Sequence, residues 1–417
     1  MKAIIVGGGV GGLTMALMLH ARGMDCEIYE QAEQIRELGV GINTLPHAIK
    51  ELAQLGLLER LDQVAIRTYE LIYTNIKGQE IWSEPRGTDA GFEYPQFSIH
   101  RGRLQGVIYA AARARLGESR IFTGHRLGGF VQDESGVTAW FFDRNGTHRH
   151  TARGDILIGA DGIHSFVRAQ LFPNEEPARW TGTTLWRGAL DWPQFLTGRS
   201  MIIAGGMAAK LVLYPIAEGS RENRRLTNWA VMVKVAQGGG TPKKEDWSRL
   251  GRFEELMPHV QRFNIPAIDA KALIEATPEF WEYPLCDRDP LPRWSHGRVT
   301  LLGDAAHPMY PVGSNGASQA ILDARCLADR LCDAEHPYQA LWQYEQERLP
   351  MTTQIVMMNR KGGPEGVIDA VEQRAPDGFT NIDDVLSYEE RKAIVRGYAS
   401  TAGFAREQVN KPGSKAA

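Results

Sequence analysis

Ala3-Ile4-Ile5-Val6-Gly7-Gly8-Gly9-Val10-Gly11-Gly12-Leu13 decides the fold of this chain. The apolar run reads as a buried strand, the glycines as a tight turn, and Leu13-Thr14-Met15-Ala16-Leu17 as the start of a helix. Gly7, Gly9 and Gly12 form G-x-G-x-x-G, with Gly11 as a further slim position. One glycine permits the turn, one lets backbone approach a pyrophosphate, and one allows close helix-strand packing. Phosphates would sit at the helix N-terminus, where unpaired N–H groups and the dipole favour negative charge. Cys26-Glu27-Ile28-Tyr29-Glu30 reads as a second strand ending in an acid, and Glu30 lies 18 residues past Gly12, at ribose-binding spacing. This pattern predicts an adenine dinucleotide without a 2′-phosphate. A secretory signal is the competing reading of Lys2 and the apolar residues after it. The glycines interrupt that run, and His20 and Arg22 follow without a small-x-small site, so this end reads as folded protein.

Working outward, 417 residues with 43% hydrophobic and 23% charged content suit a soluble globular protein of two domains. A net charge of −3 offers no basic field for nucleic acid, and no long uncharged apolar run suggests a membrane span. A cytoplasmic protein is expected. Cys26, Cys286, Cys326 and Cys332 lack C-x-x-C or Cys/His spacing, so neither a metal site nor a disulfide framework is expected.

From about Trp180 to Trp281 the chain changes character. Thr183–Gly188, Leu211–Pro215 and Thr227–Val233 are strand-like runs between glycine and charged turns, which predicts an antiparallel sheet inserted into an α/β domain. After Pro290 the α/β pattern returns, with a strand at Arg298–Leu302 and a helix from about Ser318 to Leu331. Tyr338–Arg360 and Tyr388–Phe404 read as mostly helical, and Asn410–Ala417 as a frayed tail.

Two more strands end in glycine and aspartate. Asp155-Ile156-Leu157-Ile158-Gly159-Ala160-Asp161-Gly162 runs into a helix start at Ser165-Phe166-Val167-Arg168, and Asp161-Gly162 alone is equally a plain turn. Leu301-Leu302-Gly303-Asp304-Ala305-Ala306-His307-Pro308 repeats the arrangement. There Asp304 is able to accept hydrogen bonds from ligand hydroxyls, with Gly303 allowing close approach, or to cap the next turn.

The three motifs, with Pro311-x-Gly313-x-Asn315-Gly316, resemble the group A flavoprotein aromatic monooxygenases, the para-hydroxybenzoate and salicylate hydroxylase-like family, over nearly the whole chain. Within it the sequence looks most like the phenazine-1-carboxylate hydroxylating branch. That likeness rests on Leu38-Gly39-Val40-Gly41-Ile42-Asn43, Trp82–Gly87, Ser98-Ile99-His100-Arg101-Gly102 and Asp287–Pro292. The resemblance implies FAD as cofactor and NADH or NADPH as cosubstrate. It implies an α/β fold with a Rossmann-like FAD-binding domain, an inserted, mainly antiparallel sheet that binds substrate, and C-terminal helices. The expected FAD-binding domain comprises 1–75, 96–180 and 285–360, the sheet domain 76–95 and 181–284, the C-terminal helical segment 361–405 and the tail 406–417.

In this resemblance Glu30 holds the adenosine ribose, Arg101, with Leu104 after it, approaches the ribose and pyrophosphate, and Asp304 binds the ribityl-pyrophosphate portion. Asp161 and Gly162 serve the pyrophosphate and the nicotinamide nucleotide; Gly41, Gly303, Gly313, Asn315 and Gly316 shape the flavin site. Arg168 is either part of this arrangement or a salt-bridged surface arginine. The helix beginning at Asn315-Gly316 would aim N–H groups at the negative charge of reduced flavin. Dioxygen would react through a flavin C4a-hydroperoxide, whose distal oxygen hydroxylates a small aromatic or heteroaromatic acid, with or without decarboxylation.

That chemistry needs a dry aromatic pocket, so Trp186, Tyr214, Trp229 and Tyr310 are candidate walls, each also suited to an ordinary core. Arg187 is the candidate partner of a substrate carboxylate, or a sheet salt bridge. His307, Tyr310 and Pro311 are the candidate catalytic residues at the flavin edge, with a structural role as the alternative for His307. Competing functions are epoxidation or an oxidase or reductase reaction on the same fold, and a nucleotide-binding protein without turnover. No Trp-x-Trp-x-Ile-Pro segment points to halogenation. A monomer or homodimer is expected.

Overall fold

A computed structural model describes all residues except 36–38, 238–248 and 412–417. The decisive stretch forms a strand, Lys2–Val6, a turn, and the helix Val10–Ala21. The strand lies at the centre of a five-stranded parallel sheet ordered Val299–Leu301, Ile156–Gly159, Lys2–Val6, Asp25–Tyr29, Ile121–Phe122. Numbered along the chain, that order is 5-4-1-2-3. It reverses beside the first strand, and such a switch point opens a crevice at the carboxyl ends of the strands. Ile4, Ile5, Ile28, Ile156, Leu157 and Ile158 are wholly buried, as strands covered on both faces must be. Helices Val10–Ala21, Arg101–Leu116 and Gly316–Asp333 pack in the same core, as does an antiparallel three-stranded sheet, Arg126–Asp133, Gly136–Phe142 and His148–Gly154.

The inserted sheet has seven strands, ordered Trp281–Asp287, Arg179–Pro193, Arg224–Lys234, Ala209–Glu218, Ser200–Ala204, Glu70–Thr74 and Glu80–Pro85. All its pairs are antiparallel except Ser200–Ala204 with Glu70–Thr74. Glu70–Thr74 therefore belongs to this sheet, although a boundary at residue 75 leaves it with the cofactor domain. Its polar-apolar alternation is too short to reveal a partner strand more than a hundred residues away. Helices Phe253–Val260 and Ala270–Glu275 cover one face, and Val367, Ile368, Val371, Leu386 and Val395 of the C-terminal segment cover the other. Between the domains lies a small sheet of Gly41–Thr44, Phe97–His100 and Ala65–Arg67.

The helix expected from Ser318 spans Gly316–Asp333, and Pro337–Asn359 and Tyr388–Thr401 occupy the two later helical stretches. Arg406–Val409, placed in the tail by sequence, is a helical turn that buries Val409. Of the expected frayed stretch, Asn410 is held by its bond to Gly91 O at 2.9 Å, and 412–417 lies outside the described residues.

Candidate cofactor and substrate site

Each glycine of the first turn does a different job. Gly7 has φ of 111°, and a Cβ there would collide with the Ala160 carbonyl of the Asp161-Gly162 turn. A Cβ at Gly12 would collide with the Gly7 carbonyl, and one at Gly11 would stand 2.7 Å from Leu302. Gly9 faces open space, with nothing within 4 Å of a Cβ placed on it. Packing therefore requires Gly7, Gly11 and Gly12, whereas Gly9 leaves room for a group from outside the chain. No side chain caps the helix that follows, so its first N–H groups face that space. Glu30 ends the second strand and accepts from Gly8 N at 2.7 Å and Ala32 N at 2.8 Å, while Gln105 Nε2 donates to Gly8 O at 2.8 Å.

The two later strand ends meet this turn, but their aspartates differ. Asp161 turns back into the protein: it accepts from Ser165 Oγ at 2.5 Å, Phe166 N at 2.7 Å and Val167 N at 3.2 Å. Burial pushes its carboxyl up, against those hydrogen bonds. The expected contact from Asp161 to a cofactor is thus corrected to the capping of the helix Phe166–Leu171. Orphan N–H groups one turn away take one carboxylate oxygen, and the Ser165 hydroxyl takes the other. Gly162, with φ of 79° and open space around it, keeps the backbone approachable.

Asp304 stays exposed in the groove between Arg101 and the start of the long helix at Gly316. Protein surrounds it on its other sides and pushes its carboxyl up, while His307 and Arg101 pull it down. Arg101 is exposed beside Gly39, its N–H held by Val40 O at 2.9 Å. Leu104, one turn on, is wholly buried in the core and makes no approach to the groove.

Behind Asp304 lies a buried charge network. Asp323 accepts from Gly303 N at 3.0 Å, His307 Nε2 at 2.5 Å and Arg348 Nε at 2.7 Å. Burial pushes its carboxyl up, but His307 and Arg348 outweigh that and hold it at about 2. His307 is therefore an anchor of the Gly303-Asp304 turn, which corrects its candidacy as a proton-handling residue. Arg168, also buried, donates to Ala305 O and Ala306 O at 3.1 and 3.0 Å and pairs with Glu175, so it ties the second motif to the third. It is not a surface arginine.

The loop after His307 is strained. Gly313 has φ of 65° and Ser314, a non-glycine, φ of 57°. The ring of Tyr398 occupies the place of a Gly313 Cβ, and Tyr398 Oη receives a bond from Asn315 Nδ2 at 3.0 Å. The Asn315 side chain is wholly buried and supports the loop from within. The helix Gly316–Asp333 that follows has no side-chain cap. Tyr310 is buried and Pro311 exposed, so only Pro311 of that pair is open to a group from outside the chain.

On the seven-stranded sheet, register decides which side chains face the groove. Arg187 pairs opposite Ala230, Trp186 opposite Val231, and Gly188 opposite Trp229. Arg187 and Tyr214 share the face toward Gly41; Trp186 and Trp229 share the other, packed with Leu256, Leu273 and Phe280 beneath the covering helices. Trp186 Nε1 donates to Glu282 at 3.2 Å and Trp229 Nε1 to Thr277 at 2.9 Å. Both tryptophans are corrected from candidate walls to core residues, because strand side chains alternate and theirs point away.

Gly41 joins the domains. Its N–H is bonded to Asn228 Oδ1 at 2.8 Å, its carbonyl receives Arg187, and a Cβ would stand 2.7 Å from both Asn228 and Tyr214. Arg187 also donates to Tyr283 Oη at 3.1 Å, and its Nε is buried without a partner. Burial opposes its charge, yet the neighbouring Tyr283 and Tyr214 phenols hold its pKa above the ordinary value, and no carboxylate among the described residues contributes. Among the described residues it forms no sheet salt bridge.

A protein-family model described as an FAD binding domain matches residues 1–359. The chain belongs to this family. Phenazine 1,6-dicarboxylic acid hydroxylase PhzS of Lysobacter antibioticus is 44% identical over 362 residues, covering 86% of this chain and 88% of the relative. 3-Hydroxybenzoate 6-hydroxylase 1 of Aquipseudomonas alcaligenes is 31% identical, covering 86% and 87%. Klebsiella pneumoniae HpxO, solved with FAD and uric acid, shares the fold with a TM-score of 0.74 at 23% identity, covering 96% of each chain. This chain is an FAD-dependent enzyme of the aromatic hydroxylase group.

Several residues that build the flavoprotein's site were not singled out by sequence: Gln105, Asp323, Arg348, Glu365, Tyr398 and Asn228. Asp323 carried a signal. It follows Gln319 by four residues on the apolar stripe of a helix that buries Ala320, Ala324, Leu327 and Leu331, where a carboxylate requires a partner. Among the described residues, no helix is long and apolar enough to cross a membrane.

Proposed function

We propose that the enzyme uses NAD(P)H and dioxygen to hydroxylate a heteroaromatic carboxylic acid of the phenazine type. The observation that carries this reading is Arg187, a mostly buried guanidinium at the junction of groove and sheet with no carboxylate partner among the described residues. An unpaired buried cation is costly, and an aromatic acid would supply the missing charge. Tyr214 and Tyr283 flank it and would hold the ring, while Gly41 keeps the approach slim. The likeness to a phenazine dicarboxylate hydroxylase supports the same substrate class.

The residues fit FAD. Gly9 and Gly162 leave backbone room, Glu30 and Arg101 would serve the ribose and pyrophosphate, and the exposed Asp304 would accept from ribityl hydroxyls. Gly316 leaves the flavin side open, Gly303 and Gly313 let Ala320 and Tyr398 pack behind the loop, and the uncapped N-terminus of the long helix would stabilise negative charge on the reduced ring. Bound flavin supplies the redox and oxygen chemistry. The chain's task is to fix the acid by Arg187 and exclude water from the ring. A cytoplasmic setting and a monomeric or homodimeric state belong to this reading.

The test is NAD(P)H oxidation by the purified yellow enzyme with phenazine-1-carboxylate, under labelled dioxygen. Stimulated oxidation with one labelled oxygen in the product is expected. Peroxide release without product, across phenazine and hydroxybenzoate acids alike, overturns the reading.

A further inference from the structure

Lys210 and Glu365 form an ion pair in the interior, with side chains 3% and 4% exposed. Lys210 lies on the sheet strand Ala209–Glu218, and Glu365 on the short turn Gly363–Glu365 of the C-terminal segment. The other carboxylate oxygen of Glu365 accepts from Gly313 N at 3.1 Å. Three segments distant in sequence therefore meet at one carboxylate: the substrate sheet, the C-terminal segment and the strained loop before the uncapped helix. Asp369 stands nearby and is held by Met207 N at 2.9 Å.

A buried ion pair is a poor source of net stability, because desolvation offsets the attraction. Its best-attested use is to fix one arrangement against alternatives. Here the arrangement needing support is clear. A positive φ at the non-glycine Ser314, next to that of Gly313, persists only where surroundings over-determine it. Tyr398 braces one side of this loop by its ring and by Asn315. Glu365 holds the backbone N–H in the middle of it.

We propose that Glu365, held by Lys210, is a positioning residue for the flavin-edge loop, setting where the N–H groups of the helix at Gly316 point. The inference rests on the FAD-binding site proposed above. Lys210 makes the substrate sheet part of the same support, so the loop is held by the domain that carries Arg187.

Two double variants separate the acceptor from the charge. Lys210→Met with Glu365→Gln removes both charges but keeps an oxygen for Gly313 N; Lys210→Met with Glu365→Leu removes charge and acceptor together. Amide hydrogen exchange of a peptide covering 311–318, measured without FAD, reads the loop alone. FAD affinity and the flavin reduction potential read its consequence. The Leu variant is expected to exchange at least about tenfold faster in that peptide, with protection elsewhere retained. It should also bind FAD at least about fivefold more weakly with a lowered potential, and the Gln variant should remain close to wild type in all three. Equal exchange, affinity and potential in the two variants overturn the proposal. If neither variant folds, Glu365→Asp, which keeps the charge but draws the acceptor back from Gly313 N, decides through the same exchange measurement: faster exchange of 311–318 is expected, and unchanged exchange overturns the proposal. Failure of the phenazine reading would appear separately, as wild-type enzyme that binds FAD without hydroxylating the acid.

Discussion

The groove at the strand ends and the face of the seven-stranded sheet solve different problems with different parts of the chain. At the groove, backbone does the work: glycines at Gly7, Gly11 and Gly12 let turns touch, Gly9 stays open, and helix N-termini are left uncapped. Charged side chains there stand mostly behind the surface, as Asp323 stands behind Gly303. On the sheet the reverse holds. Backbone groups are consumed by strand pairing, so recognition falls to side chains of one parity, Arg187 and Tyr214, while Trp186 and Trp229 of the other parity build a core. A dinucleotide with repeated phosphates and hydroxyls suits the first strategy, and a flat acid suits the second.

The comparison breaks most visibly at Asp323. Asp323→Asn leaves Arg348 and His307 in the interior without their counter-charge. Losing one member of a buried pair costs about 3–5 kcal/mol. Denaturant unfolding should show that loss, with FAD retention falling as the Gly303-Asp304 turn loosens. A variant within about 0.5 kcal/mol of wild type would show that the network is dispensable.

Glycine substitutions separate packing from ligand room. Gly12→Ala drives a methyl into the Gly7 carbonyl and should destabilise the protein by about 1–3 kcal/mol even without FAD. Gly9→Ala meets nothing and should leave apo-protein unfolding unchanged while weakening FAD binding, read by flavin fluorescence titration. Asp304→Ala belongs with Gly9→Ala: folded protein, lowered FAD occupancy. If Gly9→Ala binds FAD normally, the open space at Gly9 is not where the pyrophosphate lies.

On the sheet, Arg187→Met should raise KM for an aromatic acid by roughly 10- to 150-fold, the equivalent of about 1.5–3 kcal/mol for a charged hydrogen bond, without loss of bound FAD. Trp186→Phe should cost about 1 kcal/mol of stability through its bond to Glu282 and leave KM unchanged. A shift in KM from Trp186→Phe would overturn the division of the faces.

This division also explains what was legible in the sequence. Where backbone must approach backbone, glycine alone serves, so the turns at Gly7–Gly12 and Gly303 announced themselves by residue type and spacing. Asp161 misled because the same carboxylate suits a ligand hydroxyl and an orphan helix N–H, and only the helix at Phe166 shows which won. Trp186 and Arg187 are neighbours in one strand-like run, and assigning parity requires knowing which face of the sheet turns toward Gly41. Strand pairing over long sequence distances decides that, as it does for Glu70–Thr74. Glu365 gave no signal, because its partners Lys210 and Gly313 lie in other segments.

A difference in pH response also divides the regions. His47, on the cofactor side, is buried with both ring nitrogens unpartnered, beside Phe404 and Arg348. Burial, helped by Arg348, lowers its pKa from 6.5 to about 3. Between those values the unfolded chain binds a proton that the native protein does not, so stability rises with pH. The contribution is complete above pH 6.5 and is lost as pH falls toward 3, with a slope of at most about 1.4 kcal/mol per pH unit. His259, against Trp186 beneath the sheet, is shifted in the same direction by burial but is less enclosed. Unfolding free energies of wild type and His47→Gln, compared from pH 4 to 7.5, should converge toward the acid end, because the variant lacks the titration. Subtracting the curves removes carboxylates common to both. A constant difference across that range would mean that His47 gains its proton as readily in the folded protein as in the unfolded chain.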